Sequence, residues 1–205
     1  MTRYNKVDEK TIHEKNEIGI INGLWANNLG CGGIIPIQTL FYPCSVFLQL
    51  QLTGLQGDVM KESMNVAKTL AWSLTYDKVK QTWLEYFDKT KCQGLHIHCP
   101  EGGISKDGPS AGAAITTAIY SLLNNLRIKK DIAITGEITL SGSITAIGGL
   151  DIKINSGIRA GIKTILFPKE NHRDYLLWKE KFNNEHNINF IEIVNIKEIF
   201  EHVFE

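Results

Sequence analysis

Two patterns of hydrophobic and polar residues follow each other along this chain. Short runs of β-branched or alternating apolar residues, bounded by glycine, asparagine and proline, predict strands. Longer segments with apolar residues three to four positions apart predict helices. Residues 1–16 show neither pattern and are mostly polar and charged. We therefore interpret residues 1–16 as a tail or linker and residues 17–205 as one folded domain.

The strand pattern begins at residues 18–21 and is ended by the turn-forming pair Asn22 and Gly23. It returns in seven further segments, at residues 34–37, 45–52, 95–98, 131–140, 144–147, 164–167 and 188–193. The helix pattern predicts six helices, at residues 58–74, 77–88, 109–125, 150–160, 170–182 and 196–204. Pro36 lacks an N–H and is expected at a strand start, a bulge or an edge. Because locally paired strands come first and strands then alternate with helices, we expect an α+β or mixed α/β fold.

The composition is that of a folded domain: the chain has 205 residues, 43% of them hydrophobic. The 22 basic and 22 acidic residues give zero net charge, which argues against a general binder of nucleic acids or acidic membranes. No segment has the apolar run of a membrane span or the pattern of a signal peptide, so we expect a soluble cytoplasmic protein. The four cysteines form no Cys-x-x-Cys pair, which favours reduced thiols over a zinc site.

Several familiar catalytic motifs are missing from the sequence. It contains no phosphate-binding Gly-x-x-x-x-Gly-Lys-Ser/Thr loop, no Gly-x-Gly-x-x-Gly turn, no His-Glu-x-x-His and no Gly-x-Ser-x-Gly. We therefore expect no metal and no cofactor held by this chain. His96 and His98 share one face of a predicted strand, a spacing that can bind a metal. Since no third ligand lies nearby, two half-exposed polar side chains are the favoured interpretation.

Residues 106–112, which read Lys-Asp-Gly-Pro-Ser-Ala-Gly, carry the clearest candidate chemistry. Pro109 suits the first position of a helix, with Asp107 or Gly108 as its cap. Ser110 then lies in the first turn, where backbone N–H groups have no partner within the helix. Its hydroxyl could attack a carbonyl while the amides of Ser110 and Ala111 receive the oxyanion. An ordinary helix cap beside a Gly-Pro turn explains this segment equally well.

A serine nucleophile needs a base, and Lys153 is a candidate. On a helical wheel it borders the apolar face and lies beside the small residues Gly157 and Ala160. We expect it at the rim of the buried face, next to a groove. Burial disfavours the ammonium ion and lowers the pKa of a lysine toward neutrality. An exposed surface lysine is the alternative interpretation.

Four ordered motifs give a resemblance to a known family. They lie at residues 100–112, 135–142, 147–153 and 161–171, and include the sequences KDGPSAG, TGEITLSG, IGGLDIK and GIKTILFPKEN. This set resembles the proteolytic domain of the Lon protease family, and the resemblance extends over residues 17–200. Lys153 follows Ser110 by 43 residues, as the family pattern requires.

The resemblance implies a role for each matching residue. Ser110 matches the nucleophile, Lys153 the general base and Thr135 a threonine that holds the lysine. Asp107 matches a residue in a loop that folds over or away from the nucleophile, and His96 and His98 match two histidines near the site. The implied fold is a compact α+β domain related to a ribosomal-protein domain, with mixed sheets and flanking helices. The implied reaction is hydrolysis of peptide bonds in unfolded or damaged proteins through an acyl-enzyme, without a metal.

The resemblance also implies partners: a homohexameric ring, and an AAA+ ATPase that unfolds substrates and uses ATP. No ATPase module lies in these 205 residues, so the chain is a stand-alone peptidase, a subunit served by a separate ATPase, or part of a longer product. Trp25 and Ala26 lie where the family pattern has Ala-Trp, and Gln38 aligns with its acidic residue. A weak or inactive module for ring assembly or partner binding is therefore the alternative function.

Overall fold

The computed structural model of the chain describes residues 14–27, 29–54, 57–100, 107–182 and 187–205. Residues 1–13 of the predicted tail and residues 101–106 of the loop before Ser110 lie outside the described residues. At the end of that predicted tail, the Asn16 carboxamide oxygen accepts the backbone N–H of Lys130 at 2.9 Å. The Asn16 amide donates to the Glu205 carboxylate at 2.7 Å. The domain boundary after residue 16 stays a prediction, although Asn16 itself is tied to the fold.

The described residues form eleven strands and six helices. The strands are β1 Glu17–Ile18, β2 Ile20–Ala26, β3 Gly32–Tyr42, β4 Leu50–Thr53, β5 Gly94–His98, β6 Arg127–Ile128, β7 Ile132–Ile134, β8 Glu137–Ile138, β9 Ile144–Thr145, β10 Thr164–Pro168 and β11 Asn189–Ile193. The helices are α1 Asp58–Leu74, α2 Asp77–Thr90, α3 Gly112–Asn124, α4 Leu150–Arg159, α5 His172–Phe182 and α6 Ile196–Val203. Short 3₁₀ turns at Pro109–Ala111 and Lys169–Asn171 lead into α3 and α5. This mixture confirms the predicted α+β class.

Seven strands form one mixed sheet in the order β11-β10-β7-β2-β3-β5-β4. The four strands β11, β10, β7 and β2 are parallel to one another. Strand β3 is antiparallel to both β2 and β5, and β4 is parallel to β5. Two small antiparallel pairs, β1 with β6 and β8 with β9, lie outside this sheet. Parallel strands are buried on both faces, and helices cover them here as expected.

The sheet separates two hydrophobic cores. Alternate residues of the same strand enter different cores, as for Ile21 and Leu24 of β2. The larger core contains residues of α1, α3 and α6, and the smaller core contains residues of α4 and Trp178 of α5. In the described part of the chain, no helix is long and apolar enough to cross a membrane.

The predicted end of the first strand at Asn22 and Gly23 is wrong. Strand β2 continues through both residues to Ala26. The Asn22 side chain is 1% exposed, and its amide donates to the carbonyls of Lys130 and Ile132 at 2.8 and 3.0 Å. These bonds pair the amide N–H groups inside the fold, whereas the buried Asn22 Oδ1 has no partner among the described residues. A residue that usually favours turns is thus held in a strand by its donors alone.

Strand β3 is longer than predicted and contains Pro36. Pro36 pairs with Asn22 of β2, whereas the register with β5 begins at Gln38. At position 36 the strand therefore has an open side, where a missing N–H costs no ladder bond. Strand β3 itself is interior to the sheet, so Pro36 is at neither a strand start nor a sheet edge, but at a position that only β2 pairs with.

Two other predicted strands are only partly correct. Within residues 45–52, only the last part joins β4, and Leu48 adopts a left-handed conformation with φ of 48°. The predicted strand 131–140 is divided into β7 and β8, which belong to different sheets. Thr135 and Gly136 form the break, because the Gly136 N–H donates to the carbonyl of Ser110 at 2.8 Å. This departure from the sheet brings the chain to the candidate site.

Candidate active site

Ser110 lies in the 3₁₀ turn Pro109–Ala111, which continues directly into α3. Pro109 starts the turn, as the sequence predicts, because its ring fixes a helical φ and its missing N–H has no helical partner. Ser110 lies in the first helical turn as predicted, but this turn is a 3₁₀ turn and the α-helix begins at Gly112. The serine is partly exposed, so its side chain is reachable from solvent.

The break between β7 and β8 is bound to this turn. The Ser110 carbonyl accepts the Gly136 N–H at 2.8 Å and the Thr135 hydroxyl at 3.3 Å. In the opposite direction, the Ala113 N–H donates to the Gly136 carbonyl at 3.0 Å. Three hydrogen bonds therefore fix the start of α3 against the carboxyl end of β7. The role of Gly136 was not predicted, although the Thr-Gly pair within an apolar run is a signal for a break in the strand.

Lys153 extends from α4 into the interior. Only 3% of the residue is exposed, so it is more deeply buried than the predicted rim position. Its amine donates a hydrogen bond to the Thr135 hydroxyl at 3.2 Å. Burial lowers the pKa of Lys153 from 10.5 to about 8, because the ammonium ion loses its hydration. Among the described residues, no carboxylate forms an ion pair with it.

Thr135 thus contacts both candidate catalytic residues. Its hydroxyl donates toward the Ser110 carbonyl and accepts the Lys153 amine. Within the described part of the chain, no direct hydrogen bond joins Ser110 Oγ to Lys153 Nζ. The structure therefore places the three residues in one hydrogen-bonded group, with the threonine between the other two.

Of the two residues predicted as the cap of the Ser110 turn, Gly108 takes the N-cap position and Asp107 does not. Gly108 precedes that turn and makes no side-chain cap. The Asp107 carboxylate instead accepts the backbone N–H groups of Val59 and Met60, at 2.9 and 3.3 Å. Helix α1 follows Gly57, which has no side chain to cap it, so Asp107 supplies the cap from a distant part of the chain.

The two histidines share a different partner. His96 and His98 both contact the Thr53 hydroxyl, at 2.9 and 2.7 Å, and His98 lies opposite Gln38 in the sheet. In the described residues, no hydrogen bond links either histidine to the group around Thr135. No cluster of three histidine, cysteine, aspartate or glutamate residues able to hold a metal is found in the described ranges. The proposed closeness of this pair to the catalytic site stays a prediction.

The fold and the site together define a mixed α+β domain with a serine at a helix start and a buried, partly neutral lysine. The family model of the Lon protease (S16) C-terminal proteolytic domain matches residues 2–205. The chain therefore belongs to this family, and the predicted family is confirmed.

Relatives from very different organisms share this similarity. The chain is 42% identical over 177 residues to a Lon protease homolog of Acanthamoeba polyphaga mimivirus. The matched region covers 83% of this chain and 17% of that protein. It is 37% identical over 198 residues to a Lon protease of Fervidobacterium nodosum, covering 96% of this chain and 23% of the relative. With the mitochondrial Lon protease homolog 3 of Arabidopsis thaliana it shares 36% identity over 197 residues, covering 96% and 20%. The chain spans about a fifth of the length of these relatives.

Proposed function

We propose that this chain is a serine endopeptidase in which Ser110 is the nucleophile and Lys153 the general base. The observation that carries the proposal is the buried amine of Lys153, which contacts Thr135 at 3.2 Å while Thr135 contacts the turn of Ser110. A pKa of about 8 leaves a useful fraction of the amine neutral near physiological pH. Only the neutral amine can accept the serine proton.

The proposed reaction has two stages. In the first, Lys153 Nζ takes the proton of Ser110 Oγ as this oxygen attacks the peptide carbonyl carbon. The C–N bond then breaks, the lysine returns the proton to the leaving amine, and an ester joins the acyl group to Ser110. In the second, Lys153 takes a proton from water as the water attacks the ester, and the proton returns to Ser110 Oγ.

This reaction requires a local change from the present geometry. Because Thr135 lies between the two residues, the Ser110 side chain must rotate, or its turn must shift, to bring Oγ to the lysine. Catalytic hydrogen bonds commonly become short only when substrate is bound. The proposed oxyanion amides are those of Ser110 and Ala111, and the 3₁₀ pattern directs the Ala111 amide toward the Gly108 carbonyl. A shift of the turn would release this amide.

The proposed substrates are unfolded polypeptides. The residues after Ser110 are small, since Ala111, Gly112 and Ala113 follow it, and they allow an extended backbone to approach closely. We propose that the chain acts in the cytoplasm in a homohexameric ring, and that ATP is used by an ATPase on a longer product or on a separate chain. Light scattering of the 205-residue chain tests the ring: a hexamer mass supports it and a stable monomer at all concentrations contradicts it.

The dyad is tested by Ser110→Ala and Lys153→Ala, assayed for cleavage of casein as an unstructured protein. We expect each variant to lose activity by about a thousandfold, because nucleophile and base act as one unit. Lys163→Ala is the matched control, since 74% of the Lys163 side chain is exposed. Parental cleavage by both dyad variants would contradict the assignment.

A catalytically weak module is the second candidate function. It is favoured by the lack of a direct hydrogen bond between Ser110 and Lys153 in the described structure, and by Gln38, where the family pattern has an acid. A fluorophosphonate probe distinguishes the two. Covalent labelling at Ser110 supports the peptidase, and no labelling at millimolar probe supports the module.

A further inference from the structure

One buried hydroxyl in the larger core makes no hydrogen bond. Ser63 lies on the inner face of α1 and is 7% exposed, yet its Oγ has no partner among the described residues. Ser121 of α3 shows the usual arrangement: it accepts the Gly19 N–H at 2.9 Å and donates to the Leu126 carbonyl. Buried polar groups are nearly always paired, so the Ser63 hydroxyl calls for an explanation.

Ser63 faces the residue at which the nucleophile turn becomes a helix. A Cβ atom on Gly112 would lie 2.7 Å from Ser63 Oγ and 2.6 Å from Ile138 Cγ2, which is closer than real Cβ atoms come. Only glycine therefore allows α1 to approach the backbone two residues after Ser110 so closely. Gly112 and the unpaired Ser63 hydroxyl therefore belong to one close contact between α3 and α1.

Helix α3 needs a hydrogen-bond acceptor at this end. Its N-cap residue is Ala111, whose side chain cannot accept a hydrogen bond. The Gly112 N–H is directed to the Pro109 carbonyl within the 3₁₀ turn. Bonds of this type have poorer geometry than α-helical ones. If the turn shifts to bring Ser110 to Lys153, the Gly112 N–H loses this partner and requires another.

We propose that Ser63 is a positioning residue for the nucleophile: its hydroxyl accepts the Gly112 N–H when the turn around Ser110 moves toward Lys153. This inference rests on the proposed peptidase function. Helix α1 would then hold the nucleophile turn on both sides, since its N-terminal amides bind Asp107 before the turn. Ser63 acts through the backbone and does not touch the reacting atoms.

The test is Ser63→Ala in the full chain, with three measurements: kcat and KM on an unstructured fluorogenic peptide, the rate of fluorophosphonate labelling at Ser110, and Tm. We expect kcat and the labelling rate to fall about tenfold, with KM changed less than twofold, because the nucleophile is less well placed. We also expect Tm to stay the same or rise, because the change removes an unpaired buried hydroxyl. Loss of activity and loss of stability are thereby separated.

Two serines serve as controls. Ser121→Ala removes a buried hydroxyl that has partners, so we expect a lower Tm and parental kcat at temperatures where the variant is folded. Ser73→Ala changes an exposed serine of the same helix α1 and is expected to leave all three measurements unchanged.

The outcomes separate this inference from the proposed function. Parental kcat and labelling in Ser63→Ala would overturn the inference, and so would an activity loss that only accompanies a lower Tm. If the parent labels at Ser110 and Ser110→Ala is inactive, the peptidase proposal stands even then. If the parent neither cleaves nor labels, both proposals fail.

Discussion

Lys153 lies in an environment that is unusual for a charged side chain, since it is only 3% exposed. The surrounding core, and not an ion pair, lowers its pKa to about 8. A neutral amine has both a lone pair and N–H groups, and Thr135 offers an oxygen that accepts one of them. Burial therefore lowers the pKa of the proposed base, while the threonine orients its amine.

The pH dependence of activity follows from this pKa. Peptidase activity is expected to increase about tenfold between pH 7 and pH 9 and to level off above, since the active form is the neutral amine. The measurement is kcat/KM on a peptide without titratable side chains, over pH 6–10. An activity that is constant or declining from pH 7 to pH 9 would exclude Lys153 as the base.

At the level of elements, the contact between Asp107 and α1 links two distant parts of the chain. The carboxylate is close to Gly57, where a Cβ would lie 2.1 Å from Asp107 Cγ. Gly57 therefore leaves the space that the cap requires. A carboxylate at this end of a helix is also favoured by the helix dipole.

Asp107→Ala is expected to lower the free energy of unfolding by about 1 kcal/mol, because two amides of α1 lose their acceptor. For a domain of this size, that corresponds to a Tm about 2–4 °C lower. Hydrogen exchange is expected to become faster at Val59 and Met60. Asp58→Ala is the control, since the Asp58 side chain is 98% exposed, and it should change Tm less. Equal effects of both changes would show that Asp107 is not the cap.

The sequence patterns predicted elements well where local periodicity agrees with the tertiary fold. Helix α1 has the predicted bounds, and β5 extends the predicted strand by one residue. Two of the failures share a physical cause. The Asn22 side chain donates to distant carbonyls, and the Gly136 N–H donates to the carbonyl of Ser110 and not within the sheet. Such partners are far away in sequence, and single-chain periodicity does not report them.

For the whole molecule, the candidate site lies where the two hydrophobic layers meet. Helix α4, which carries Lys153, packs in the smaller core, whereas α3, which follows Ser110, packs in the larger one. Thr135 directly follows β7, the strand between them. The local pattern identified Ser110 and Lys153 as separate candidates, and only the family resemblance joined them. Neither the local pattern nor the family resemblance identified Ser63, although Ser63 is a polar residue within the apolar face of α1.

The buried lysine also costs the whole fold stability. Folding lowers the Lys153 pKa from 10.5 to about 8, so the unfolded chain binds the proton more tightly. The free energy of unfolding therefore rises with pH between about 8 and 10.5. Below pH 8 the lysine is charged in both states, and the fold bears the full free-energy cost of burying that charge. A shift of this size corresponds to roughly 3 kcal/mol.

Lys153→Met is accordingly expected to abolish peptidase activity and to stabilise the fold by about 2 kcal/mol at pH 7, because the lost hydrogen bond to Thr135 offsets part of the gain. Denaturant unfolding at pH 7 and pH 10.5 measures the effect, and the gain should shrink at the higher pH. A destabilised Lys153→Met at pH 7 would contradict this account.

The buried pair Asn22 and Gly23 has a consequence for the ageing of the protein. In a flexible chain, asparagine before glycine readily deamidates, because the following backbone nitrogen attacks the side-chain carbonyl and ammonia is released. Strand β2 prevents this while Asn22 holds its two carbonyl partners. Opening of the sheet exposes the pair, and the aspartate or isoaspartate that forms would bring a carboxylate to a position only 1% exposed. The fraction of molecules deamidated at Asn22 would thus increase irreversibly with the time that the sheet spends open.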